Sequence, residues 1–167
     1  VRLLIDRVGV GGDDGNGRVM IVSIDVRGEL VIPLPPVRVA GYAMDWRHDA
    51  EWTQGIRTTE LSATAEDGGF GPGAELTRTA YFLGRRLDYV LRVMVHEPPT
   101  LLELKSVAGP FPTHLTYRFD EHPDGTLASI RLVGEPSGYY RVGAAVARLV
   151  MRSRIRRGLR ELSRNLS

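Results

Sequence analysis

The chain has no cysteine, and Lys105 is its only lysine. Without cysteine there is no disulfide framework, no thiol nucleophile and no thiolate metal site. The near absence of lysine stands against 21 arginines, and reflects base composition of the coding sequence more than design. No apolar run approaches the roughly 18 residues of a membrane-crossing helix. The first residues are briefly apolar but reach Asp6, and no signal-peptide core or small-residue cleavage site follows. A cytoplasmic location is therefore expected. Metal-ligand patterns are also missing: no two histidines have helical ligand spacing, and there is no HExxH or carboxylate cluster. No metal site and no cofactor are expected.

What remains is an ordinary globular composition, 43% hydrophobic and 25% charged in 167 residues, enough for one domain. Residues 1–18 read as a flexible extension, with five glycines from Gly9 to Gly17 among Asp13, Asp14 and Asn16. The domain is expected over 19–167, and Met20 is separately a candidate true start. An alternating apolar run from Met20 forms a first strand, with a bulge or turn expected at Gly28. Pro33, Pro35 and Pro36 end it and favour a helical first turn. Val39, Tyr42, Ala43 and Trp46 then share helical spacing, and Asp49 is placed to cap a second turn carrying Trp52.

Six alternating segments follow, from Ile56 to Glu135. Leu115, Tyr117 and Phe119 share one face by period two, as do Ala128, Ile130 and Leu132. Gly84-Arg85-Arg86 reads as a hairpin turn. Each strand offers one apolar face, as in a sheet covered on one side.

Residues 138–167 then read as one long amphipathic helix. They hold eight arginines and one glutamate, so the rest of the chain is net negative. One apolar stripe runs through Tyr140, Ala144, Ala147, Met151, Ile155, Leu159, Leu162 and Leu166. A second, through Tyr139, Val142, Val146, Leu149 and Val150, covers only the first half. The first half is therefore expected to be nearly engulfed and the arginine-rich end to emerge. A curved sheet gripping one helix leaves a cavity, so the order of elements points to a container for an apolar ligand.

Several local patterns occur in a recognisable order. Asp45-Trp46 leads to Trp52 and Gly55-Ile56, and Gly73 precedes a strand. FLGRR stands at 82–86, VHEPP at 95–99 and SVAGPFP at 106–112, and a YRF–DG–T pattern ends at Thr126. Over residues 20–166 this set resembles the START/Bet v 1-like (SRPBCC) superfamily, in its bacterial polyketide cyclase/dehydrase-like branch. The resemblance implies an α+β helix-grip fold: a seven-stranded curved antiparallel sheet around a C-terminal helix, with two short helices after the first strand. It implies binding of a hydrophobic, aromatic, polycyclic or polyketide-like molecule. Cyclisation or dehydration of that molecule is one activity it implies; non-catalytic carriage of a lipid or quinone is the other. The first helix, VRVAGYAMD, lacks the aromatic that many members place near its start.

Arg78 is the sharpest catalytic candidate. Alternation puts it on a face with Leu76, Ala80 and Phe82, where a guanidinium needs an acidic partner or a polar ligand. A bulge that flips the register would instead leave it solvated. Tyr81, Tyr89 and Tyr117 either donate to a ligand or sit in the core with hydroxyls at the rim. His96 ends a strand with His114 expected opposite, and either is a candidate acid or base or a surface histidine. Catalytic candidates are thus Arg78, Tyr117 and His96. Ligand-binding candidates are Trp52, Phe82, Tyr89, Ile130, Val142 and Val146. The expected partner is a hydrophobic small molecule, not nucleic acid, for a monomer or homodimer. The arginine-rich helix end reads as a solvated face favoured by the helix dipole; transient membrane contact is its alternative.

Overall fold

The computed structural model describes residues 23–110, 112–135 and 144–167. The readings placed on 1–22 and 138–143, including the extension, Met20 and Val142, lie outside them. The chain runs β1 (Ile24–Ile32), α1 (Pro36–Ala43), a 3₁₀ turn (Trp46–His48), α2 (Asp49–Trp52) and β2 (Ile56–Ala63). It continues through β3 (Glu75–Phe82), β4 (Arg85–Glu97), β5 (Leu101–Ala108), β6 (Thr113–His122) and β7 (Gly125–Gly134) to α3 (Ala144–Leu166). The seven strands form one curved antiparallel sheet in the order β1-β7-β6-β5-β4-β3-β2. This is the helix-grip α+β architecture.

Alternation determines which face is covered. In β3, Leu76, Arg78, Ala80 and Phe82 are all buried; in β6, Leu115, Tyr117 and Phe119 are. Two apolar clusters fill the concave side. One gathers Ile32, Val39, Trp52, Leu104, Phe119, Leu159 and Leu162. The other is smaller and holds Ile24, Val26, Phe82 and Ala147. The first stripe of α3 faces the sheet, with Ala147, Leu159 and Leu162 buried.

Three local expectations change. The first half of α3 is not engulfed: Val146 is 57% and Leu149 69% exposed, because the helix lies on the sheet by one side only. The turn between β3 and β4 is Leu83-Gly84, and Arg85 and Arg86 already pair with Phe82 and Tyr81. Gly28 is no bulge, for β1 pairs with β7 in unbroken register from Ile24 to Ile32. A Cβ at Gly28 would instead lie 2.5 Å from Cγ2 of Ile155. The missing side chain is what lets α3 settle on β1.

Gly28→Ala should therefore force overpacking and cost about 1–3 kcal/mol. Urea denaturation measures it, and adding Ile155→Ala should recover part of the loss relative to Ile155→Ala alone. An unchanged midpoint for Gly28→Ala would refute the close seat of the helix.

Candidate functional site

Between the two clusters lies a cavity of about 120 Å³. Trp52, Tyr117 and Ile130 contribute from the larger cluster; Phe82, Leu87 and Met151 contribute from the smaller. Ile155 and Leu132, packed against both, complete the wall. At Gly158 a Cβ would sit 3.1 Å from the Trp52 carbonyl oxygen, so α3 closes on the end of α2 through a bare backbone. The room compares with the roughly 150 Å³ apolar cavity that accepts a benzene. It fits one aromatic ring.

Into this apolar wall β3 carries Arg78, whose side chain is only 4% exposed. Its partner is Asp49, at the start of α2, also 4% exposed, with Nε and Oδ2 2.6 Å apart. The Nε–H is not directed along that line, so charge more than an aligned hydrogen bond holds the pair. The carboxylate is completed by two hydroxyls: Thr59 donates to Oδ2 at 2.6 Å and Thr53 to Oδ1 at 3.1 Å. Register explains the convergence, since Arg78 lies between Thr59 on β2 and Tyr89 on β4.

Burial alone would lower the Arg78 pKa, but Asp49, Tyr117 and Tyr89 more than offset it, and the net shift is upward. Arg78 is a fixed cation, not a proton donor. Burial raises the Tyr89 and Tyr117 phenols above their ordinary value of 10; neighbouring Arg78 offsets this in part. Both stay protonated at neutral pH and so are able to donate. The buried indole N–H of Trp52 has no hydrogen-bond partner among the described residues. An orphaned buried donor costs about 1–3 kcal/mol.

The cavity thus brings together Arg78 and Tyr117 of the catalytic candidates, and Trp52, Phe82, Tyr89 and Ile130 of the ligand-binding ones. Val146 is exposed and does not line it, because its position on α3 turns away from the sheet. His96 does not line it either; it packs edge-on against Phe70 at 5.1 Å, and burial lowers its pKa. His114 pairs across from Lys105 and His96 across from Leu102, because β5 lies between β4 and β6. Tyr81 is largely exposed, with Arg57 over its ring at 5.6 Å. The residue that sequence reasoning misses is Asp49. Its position suggests only a helix cap, although a buried Arg78 already calls for an acid.

The model of the polyketide cyclase / dehydrase and lipid transport family matches residues 23–167. The chain belongs to that family. Among solved structures, TTHA0849 from Thermus thermophilus superposes with a TM-score of 0.74 at 19% identity, covering 85% of this chain and 96% of that one. The Zhui aromatase/cyclase from Streptomyces sp. R1128 gives 0.67 at 11% identity, with coverages of 87% and 94%. A START superfamily protein from Mycobacterium smegmatis gives 0.57 at 16%, with coverages of 80% and 96%. At these identities the likeness shows the fold. No curated protein matches the sequence. No helix among the described residues is long and apolar enough to cross a membrane.

Two outcomes test the site. Asp49→Ala should cost about 3–5 kcal/mol, because it strands a buried cation. The double change Asp49→Leu with Arg78→Met should cost clearly less in chemical denaturation. In alkaline absorbance titration, late-ionising phenols are expected from Tyr89 and Tyr117, and from Tyr42, whose pKa is raised by burial and by Glu51. Tyr117→Phe and Tyr89→Phe should each remove part of that late signal. With folded pKa values above the ordinary 10, stability should fall as pH rises from there through the folded values.

Proposed function

We propose that this chain binds a small aromatic molecule bearing a carbonyl or hydroxyl oxygen in the cavity between sheet and α3. The observation that carries this reading is an apolar one-ring cavity lined by protonated Tyr89 and Tyr117 beside the Arg78 cation. An apolar ring replaces water against Phe82, Ile130 and Met151, at about 25 cal/mol per Å² of surface buried. The donors then fix its orientation through the ligand oxygen.

The same arrangement favours catalysis over plain carriage. Convergent donors around a fixed cation suit an oxygen that gains negative charge. In a polyketide-like substrate that oxygen belongs to an enolate. Its carbon attacks a second carbonyl of the same chain; the proton lost on enolisation returns through solvent to the new alkoxide, and that hydroxyl later leaves as water with a second hydrogen from the attacking carbon. Arg78 acts here through field and position, since Asp49 already balances its charge. Tyr117 is the donor proposed to meet the substrate oxygen. Family membership and the fold it shares with an aromatase/cyclase support this reading. A carrier of an apolar lipid chain, by contrast, calls for a wall without such donors.

Titration with acetophenone, followed by fluorescence in a Trp46→Phe background, should shift the emission of Trp52. Tyr117→Phe should weaken acetophenone by up to about tenfold, one neutral hydrogen bond, and leave toluene unaffected. Absence of binding by either compound would overturn the proposal. Equal losses for both would remove Tyr117 from its assigned role.

A further inference from the structure

Beside the apolar cavity lies a second, polar one of about 390 Å³, lined by Gln54, Gly55, Ile56, Arg57, Tyr81, Arg154 and Arg157. The two share Gln54, Ile56 and Arg154, so they adjoin at the end of the sheet where β2 faces α3. Three guanidiniums surround this space. Several arginines elsewhere are neutralised: Arg27 pairs with Glu29, Arg92 with Glu75 and Arg131 with Asp25. Among the described residues, no carboxylate pairs with Arg57, Arg154 or Arg157.

Arg154 is the informative member. It is partly buried, its Nη1 donates to the Tyr81 carbonyl oxygen at 2.6 Å, and its Cζ lies 5.3 Å from the Phe82 ring centre. None of these contacts supplies negative charge. Burial lowers its pKa, and Tyr89 offsets this only in part. A Cβ at Gly55 would collide with this guanidinium, so the backbone there is bare where Arg154 lies. A desolvated cation held between an apolar cavity and an open basic one is poised to take an anion from the same ligand.

We propose that the second cavity is an oxyanion vestibule, and that the ligand whose ring fills the apolar cavity carries a carboxylate or phosphate bound there by Arg57, Arg154 and Arg157. The inference rests on the proposed function and narrows its ligand class to amphipathic aromatic acids. It also resolves the mismatch of size: one ring enters, and the rest of a longer molecule lies among the arginines. Guanidiniums suit this role because their planar N–H forks match carboxylate and phosphate oxygens.

The test compares phenylbutyrate with phenylbutanol, the same ring and spacer with and without charge, by isothermal titration calorimetry. Phenylbutyrate should bind at least about tenfold tighter at low salt, as one charge-assisted contact allows. High salt should shrink that preference. In the Arg57→Gln/Arg157→Gln protein it should largely vanish, while phenylbutanol affinity stays as it was. Both substituted residues are exposed, so the fold is not at stake. Equal affinity for the two compounds, or a preference that survives both substitutions, would overturn the vestibule and leave the apolar cavity standing. Phenylbutyrate bound by the arginines without any affinity for phenylbutanol or toluene would overturn the link between the two cavities. Binding of neither compound would overturn the underlying reading as well.

Discussion

The buried contact between Arg78 and Asp49 is the constraint on which the rest of the molecule turns. Placing two charges in an apolar interior costs several kcal/mol for each ion, and only close geometry with further hydrogen bonds offsets it. Here Thr53 and Thr59 complete the carboxylate, so one acid ties β2, β3 and the segment after α2 together. Such a pair is weak as a source of stability and strong as a source of position. It admits one placement of α2 against the sheet, and with it one placement of Trp52. The wall of the apolar cavity and its donors follow from that placement.

Much of this is legible in the chain, for a physical reason. Strands of a one-side-covered sheet write their inner face as every second residue, and β3 and β6 do so clearly. Arg78 can be assigned to the inner face by that rule alone. Its partner cannot, because Asp49 lies 29 positions earlier, on a helical turn where an acid also makes sense as a cap. Gly28 misleads for a similar reason: glycine in a strand signals either a distortion or a close neighbour, and only the packed helix tells which. Val146 and Leu149 depart from expectation because an apolar stripe on a helix does not reveal whether a second surface exists to cover it. The expected facing of His96 and His114 fails on strand order: β5 lies between β4 and β6, and alternation along a strand does not reveal which strands are neighbours.

The two cavities divide the labour of recognition. In the proposed reading the apolar one removes water from a ring beside the Tyr89 and Tyr117 hydroxyls, and the polar one concentrates positive charge in contact with solvent. Arg154 belongs to both, resting over Phe82 while facing the basic side. The Arg78 charge is answered within the protein, and the three at the mouth are not. The interior charge is therefore structural and positional, and the outer ones remain responsive to whatever arrives.

Gly28 and Gly158 give α3 two points where backbone meets neighbour without an intervening side chain. They meet α3 at Ile155 and Gly158, within one turn, and pin that turn against β1 and the end of α2. The height of that turn above the sheet is set by these contacts, so the space below is most readily resized at Met151, one turn away. The fold thus separates the problem of standing up from the problem of choosing a guest.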